Sequence, residues 1–253
     1  MAIMPSVTHR AFVPFVVCLL LAACLSAACD RSGPARSVNQ GTPPGGTQNV
    51  YIVEPGDGIV LNGTLFGPEH DTLVILCHMR QNDQTGWFPF AEELADQGYA
   101  ALTLNFRGYG ASEGDQDFNK LDEDLAAALR YMRSLGRQRI FLIGASMGGT
   151  AALVVASRES GITGVVSISA PSEFEEQDAL AAVPQISAPK LFIASEDDTA
   201  AMLALNELFG AAGEPKESEV YTGNAHGTNL LDSEHAAALR ARLLRFLEEQ
   251  GGP

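Results

Sequence analysis

The chain has 253 residues, 46% of them hydrophobic and 19% charged, which suits one globular domain with a full core. Its formal charge is −15. The first 47 residues carry Arg10, Arg31, Arg36 and one acid, Asp30, which leaves 13 basic against 30 acidic residues beyond them, a charge of −17. A surface of that sign repels nucleic acid and anionic lipid, so neither is an expected partner. Cysteine use is lopsided too. Cys18, Cys24 and Cys29 lie near the start and only Cys77 lies in the body, so no disulfide framework is expected there.

In chain order, residues 1–29 read as an export signal. A short start with His9 and Arg10 leads into the apolar run Ala11 to Ala23, which Pro14 interrupts and which is too short for a membrane span. Leu21–Ala22–Ala23–Cys24 resembles the lipobox of bacterial lipoproteins, which implies that Cys24 becomes a lipidated first residue. Ser26–Ala27–Ala28–Cys29 is a poorer match, although the polar sequence after Cys29 suits a mature start, and plain cleavage and release is the alternative. Residues 30–48, rich in Gly, Pro and Ser, read as a flexible tether, and 49–253 as a single domain.

Val50–Val53 and Ile59–Phe66 predict a hairpin around Pro55–Gly56–Asp57–Gly58. Leu73–Cys77 is a continuous apolar strand, in which Cys77 reads as a small core residue rather than a reactive thiol. A helix over Phe88–Gln97, a strand over Ala100–Asn105 and an amphipathic helix over Phe118–Leu135 follow. Ile140–Ile143, Val165–Ser169 and Leu191–Ala194 read as buried strands, Thr199–Phe209 and Ser233–Glu249 as helices, and Val220–Tyr221 as part of a last short strand. Strands alternating with helices of this length predict a mostly parallel sheet covered on both faces.

The stretch that carries chemistry is Ile140–Phe141–Leu142–Ile143–Gly144–Ala145–Ser146–Met147–Gly148–Gly149. Gly-x-Ser-x-Gly alone is a weak signal. Here a buried strand runs into it and a small-residue helix leaves it, which is the context of a nucleophile elbow. The alternative is an ordinary glycine-rich turn with a bystander serine. On these residues, from about 50 to 250, the chain resembles a compact α/β-hydrolase, near the dienelactone-hydrolase and small-esterase branch in size. The resemblance implies a triad in the order Ser, Asp, His: Ser146 as nucleophile, Asp198 as acid and His226 as base. At the acid turn Ser195–Glu196–Asp197–Asp198 the family usually has Gly-x-x-Asp; aligning Ser195 with that glycine puts the acid at Asp198, while the neighbours Glu196 and Asp197 stay open as competitors. His226 sits between Gly223 and Gly227 in the loop after the last strand, whereas His235 and His70 read as solvated.

The same resemblance implies an oxyanion hole from the backbone N–H groups of Met147 and Met79, with Met79 standing where the family has glycine. His78 reads as a structural loop anchor rather than a second base, at a place where it is also a pocket candidate; Trp87 reads as a wall of the pocket, and Arg107 and Ser112 as braces of its rim. Residues 170–189 are too few for a full cap, so no large cap domain is expected and the site should be open. No dinucleotide fingerprint, phosphate loop or clustered metal-ligand motif is present, so no cofactor and no metal are expected. These features predict an esterase-type serine hydrolase for a small ester, lipid-anchored in a bacterial envelope. A peptidase or acyltransferase on the same triad is the alternative. A non-catalytic lipoprotein keeping the fold is less consistent with all three triad residues being present.

Overall fold

A computed structural model describes residues 46–253. The readings that concern Cys24, Cys29, the signal and most of the tether lie outside the described residues. The chain runs β1 (Thr47–Val53), β2 (Val60–Phe66), β3 (Leu73–Cys77), α1 (Phe88–Asp96), β4 (Ala100–Leu104), α2 (Leu121–Ser134), β5 (Ile140–Ala145), α3 (Met147–Arg158) and β6 (Ile162–Ile168). It continues with β7 (Glu173–Phe174), β8 (Gln177–Asp178), α4 (Ala179–Ala182), β9 (Lys190–Ser195), α5 (Thr199–Ala211), β10 (Lys216–Tyr221) and α6 (Ala236–Glu249). Eight strands form one sheet in the order β1-β2-β4-β3-β5-β6-β9-β10. The pairs β1/β2 and β2/β4 are antiparallel and the rest are parallel. This is the mostly parallel sheet that the alternation of elements predicts.

The apolar runs follow from this layering. Within β3, Leu73, Ile75 and Cys77 enter one core with residues of α2, α3 and α5, while Val74 and Leu76 enter a second core with residues of α1 and α6. A strand covered on both faces needs apolar side chains at every position, which is why no polar alternation marks β3 or β5. Each large side chain so buried contributes about 1.5–3 kcal/mol relative to exposure.

Several boundaries differ from the sequence reading by a few residues; three of them bear on the domain and its edge. β1 begins at Thr47, so two residues assigned to the tether belong to the domain. The last strand, to which the sequence assigns Val220–Tyr221, spans six residues as β10; its Lys-Glu-Ser-Glu part leaves no apolar pattern because it is an edge strand whose Glu217 and Glu219 pair with Arg242 of α6 instead of burying apolar surface. The last helix starts at Ala236, after a 3₁₀ turn over Gly227–Asp232. Between β6 and β9 the chain makes only the β7–β8 hairpin, the one-turn α4 and a 3₁₀ turn over Val183–Gln185, so among the described residues this segment holds no large cap domain.

Candidate active site

The site residues come from the carboxyl ends of parallel strands, where an α/β sheet opens its crevice. β5 delivers Ser146 and β9 delivers Asp198; His226 follows β10, and His78 and Met79 follow β3. Ser146 has φ 50° and ψ −122°, a conformation that serine adopts only under strain. Its N–H donates to Ile168 O at 2.8 Å, which ties the elbow to β6. A Cβ at Gly144 would run into the backbone of Gly148, and one at Gly148 would lie 2.6 Å from the carbonyls of Cys77 and His78. Glycine at both positions is therefore a steric requirement of the elbow.

Asp198 ends the turn after β9 and caps α5, its Oδ1 accepting the Ala201 N–H at 3.4 Å. Its other oxygen, Oδ2, lies 2.6 Å from His226 Nδ1, and His226 Nε2 lies 2.9 Å from Ser146 Oγ. The structure thus brings Ser146, His226 and Asp198 into one hydrogen-bonded line. Asp197 is exposed, and its N–H donates to Gly223 O at 2.9 Å. Ser146 is buried, Asp198 is 13% exposed and the His226 side chain 35%, so the ring is the part of the line open to a ligand.

Met147 opens α3, so its N–H is among those with no intrahelical acceptor. Met79 packs against the base loop: its Sδ would lie 3.0 Å from a Cβ on Gly227. The loop that carries Met79 is fixed from below by buried amides. Gln84 N–H donates to Asn105 Oδ1 at 2.9 Å, Gln84 Nε2 to Asn62 Oδ1 at 3.0 Å, and Thr103 Oγ1 to Gln84 Oε1 at 2.9 Å. No sequence motif pointed to this network.

His78 and Trp87 are not pocket residues. The His78 ring is fully buried between Phe106 and Tyr109, with Nδ1 2.8 Å from Met79 O and Nε2 accepting the Phe106 N–H at 3.2 Å. That pattern makes it a neutral ring donating through Nδ1, and burial pulls its pKa down to about 4 despite the Met79 carbonyl. Trp87 is also fully buried, in the α1 face of the core beside Phe90, and cannot wall an open site. Cys77 is buried as read, and burial pushes its thiol well above the ordinary value. His235 is half-packed rather than solvated: its Nε2 meets Thr222 Oγ1 at 2.8 Å and its ring lies on Tyr221.

Arg107 and Ser112 brace the neighbouring loop. Arg107 is buried and gives Asp124 two hydrogen bonds of 2.9 Å, from its N–H and its Nε, and reaches Asp57 at 2.8 Å. Burial opposes its charge, but the bonds to Asp124 and Asp57 hold its pKa above the usual arginine value. Ser112 Oγ donates to Asn105 O and accepts the Asn62 N–H, both at 2.8 Å.

Among the described residues, carboxylate oxygens of Glu54, Asp57 and Glu123 lie within 4.8 Å of one another. Cations already stand among them. Lys120 Nζ lies 3.2 Å from Asp57 and 3.6 Å from Glu123. A cavity of about 500 Å³ beside this cluster, lined by Glu54, Asp122, Arg130 and Arg158 among others, contains none of the triad-like side chains.

Residues 68–178 match a family described as serine aminopeptidase, S33. That span includes the elbow but stops before Asp198 and His226. The chain is 35% identical over 85 residues to the quorum-quenching protein AidA of Acinetobacter baumannii, an alignment covering 31% of this chain and 28% of that one. It spans about a third of the length of the curated relatives it matches. Among solved structures it is similar to the esterase Pf2001 of Pyrococcus furiosus, with TM-score 0.72, 22% identity and coverage of 87% of this chain and 97% of that one. It is also similar to the α/β hydrolase GrgF of a Penicillium species, with TM-score 0.71, 17% identity, and coverage of 83% and 99%. With the sheet order, these likenesses make the chain an α/β-hydrolase by fold.

Proposed function

We propose that this protein hydrolyses small carboxylic esters through an acyl-enzyme on Ser146. The observation that carries the reading is the unbroken line from Ser146 Oγ to His226 Nε2 at 2.9 Å and from His226 Nδ1 to Asp198 Oδ2 at 2.6 Å. A hydroxyl becomes a competent nucleophile when a base takes its proton as the bond forms, and 2.9 Å is within reach for that transfer. As Ser146 Oγ attacks the ester carbonyl, its proton passes to Nε2, and Asp198 stabilises the imidazolium and fixes the tautomer. The N–H groups of Met147 and Met79 receive the developing oxyanion. Collapse expels the alcohol, which takes the proton from Nε2. A water then deprotonated by His226 attacks the acyl-enzyme, and the carboxylic acid leaves with Ser146 restored. The short segment between β6 and β9 suits a small substrate entering from solvent.

The matched family's description favours a second reading, cleavage of an amino-terminal peptide bond by the same residues. Turnover of short-chain p-nitrophenyl esters against aminoacyl p-nitroanilides separates the two. The ester reading expects the first to dominate and Ser146→Ala to remove it; dominant anilide turnover would replace it with the peptidase reading. We place the protein in a bacterial envelope, held by lipid on Cys24, on the strength of Leu21–Ala22–Ala23–Cys24 and the tether after it.

A further inference from the structure

We infer that Ser195 and Ser169 are positioning residues that hold His226 on the nucleophile, a role that rests on the serine-hydrolase reading above. The base loop is fastened at every second residue. The Glu196 N–H donates to Tyr221 O at 2.8 Å and the Asp197 N–H to Gly223 O at 2.9 Å, carrying the β9–β10 pairing past the end of the strands. At the next step β9 has turned away toward Asp198 and α5, and a side chain takes over: Ser195 Oγ donates to Ala225 O at 2.6 Å. One step further, Ser169 Oγ, at the end of β6, accepts the Gly227 N–H at 3.1 Å. His226 is therefore the residue between two peptides, each tied to a buried hydroxyl from a different strand.

Neither serine is the easy choice at its position. Ser169 has φ 52°, which glycine adopts freely and serine only under strain, while its own N–H is held by Ile193 O at 2.7 Å. Ser195 stands where the family resemblance calls for glycine. Both are essentially without exposure, so neither hydroxyl serves solvent. What a glycine cannot supply at either place is the hydroxyl, and each hydroxyl goes to the backbone flanking His226. A tether of this kind acts on geometry: a base displaced by about 1 Å can cost on the order of 100-fold in rate, and two such tethers share the load.

The test uses Ser169→Gly, Ser195→Ala and the double variant of the full chain. It reads kcat and KM on a short p-nitrophenyl ester, the labelling rate of Ser146 by a fluorophosphonate, and the thermal midpoint. Each single variant is expected to lower kcat and labelling about tenfold with KM within about twofold. Ser169→Gly should keep a midpoint close to wild type, because relieved strain offsets the lost bond. The double variant should lose less than the product of the singles, since both act on one loop. Unchanged kcat in both single variants overturns the inference, as does a loss that tracks only the unfolded fraction. Wild-type turnover tests the hydrolase reading separately. Were the wild type inert, crystal structures would decide the clamp: a displaced His226 ring in the double variant supports it, and an unmoved ring overturns it.

Discussion

Asp197 and Asp198 are neighbours of the same chemistry, and what separates them is the direction of their backbone. Asp197 is turned outward by its bond to Gly223 O, while Asp198 is held as the cap of α5 and aims one oxygen at His226. Asp198→Asn should lower kcat by roughly 10³–10⁴-fold, because the amide no longer fixes the donating tautomer, whereas Asp197→Asn should stay within about threefold; steady-state kinetics on one ester compares them. The sequence favoured Asp198 only through the family resemblance, by aligning Ser195 with a glycine, and left Asp197 open. The burial of Trp87 was not legible: its chemistry suggested a pocket wall, but it lies in the 3₁₀ turn over Gln84–Trp87 that leads into α1, and its burial there is a property of the assembled core. His78 is the loop anchor that its place after β3 suggested, bonded to Met79 O and the Phe106 N–H. His78 gives its own test through pH. Its folded pKa of about 4 lies below the unfolded value near 6.5. Between those pH values the unfolded chain binds a proton that the native ring refuses. The stability it contributes is thus complete above about pH 6.5 and falls as pH drops toward 4, by up to ~3 kcal/mol. Urea unfolding from pH 7 to 4.5 should show a steeper loss in wild type than in His78→Asn; parallel curves would contradict the assignment of a buried neutral ring.

At the scale of elements, the elbow works because α3 is pressed onto the end of β3. Gly148→Ala would put a methyl 2.6 Å from two carbonyls that lead into the Met79 loop, and backbone yields poorly. The variant should lose about 1–3 kcal/mol of stability as an overpacked site, read as a lower thermal midpoint, and lose kcat as well, because the strand end that carries Met79 must shift. An unchanged kcat would separate the elbow from that loop. Arg107 makes a second element-level prediction. Replacing it with Leu leaves Asp124 buried without its partner, and removal of one member of such a pair costs about 3–5 kcal/mol, which a denaturant midpoint will show. Strands and helices with one apolar character were legible from sequence. β10 was not beyond Val220–Tyr221, because its stabilisation comes from ladder bonds and from Arg242, and neither leaves an apolar pattern.

For the whole molecule, the charge of −17 beyond the first 47 residues gives no attraction to anionic lipid, so membrane attachment would have to come from acyl chains. Cys24→Ser should move the protein from the membrane to the soluble fraction with ester turnover unchanged. Retention on the membrane would point to Cys29 or an uncleaved signal, and mass spectrometry of the mature amino terminus tells those apart. No helix among the described residues is long and apolar enough to cross a membrane.

The central claim is that Ser146 is a nucleophile activated by His226, and covalent labelling tests it most directly. Wild-type protein treated with a fluorophosphonate and digested should carry the adduct on the peptide containing Ser146. Ser146→Ala should carry none, and His226→Ala should label slower by a factor of about 10³ or more. An adduct that persists in Ser146→Ala, or a wild-type protein that stays unlabelled while folded, would contradict the account.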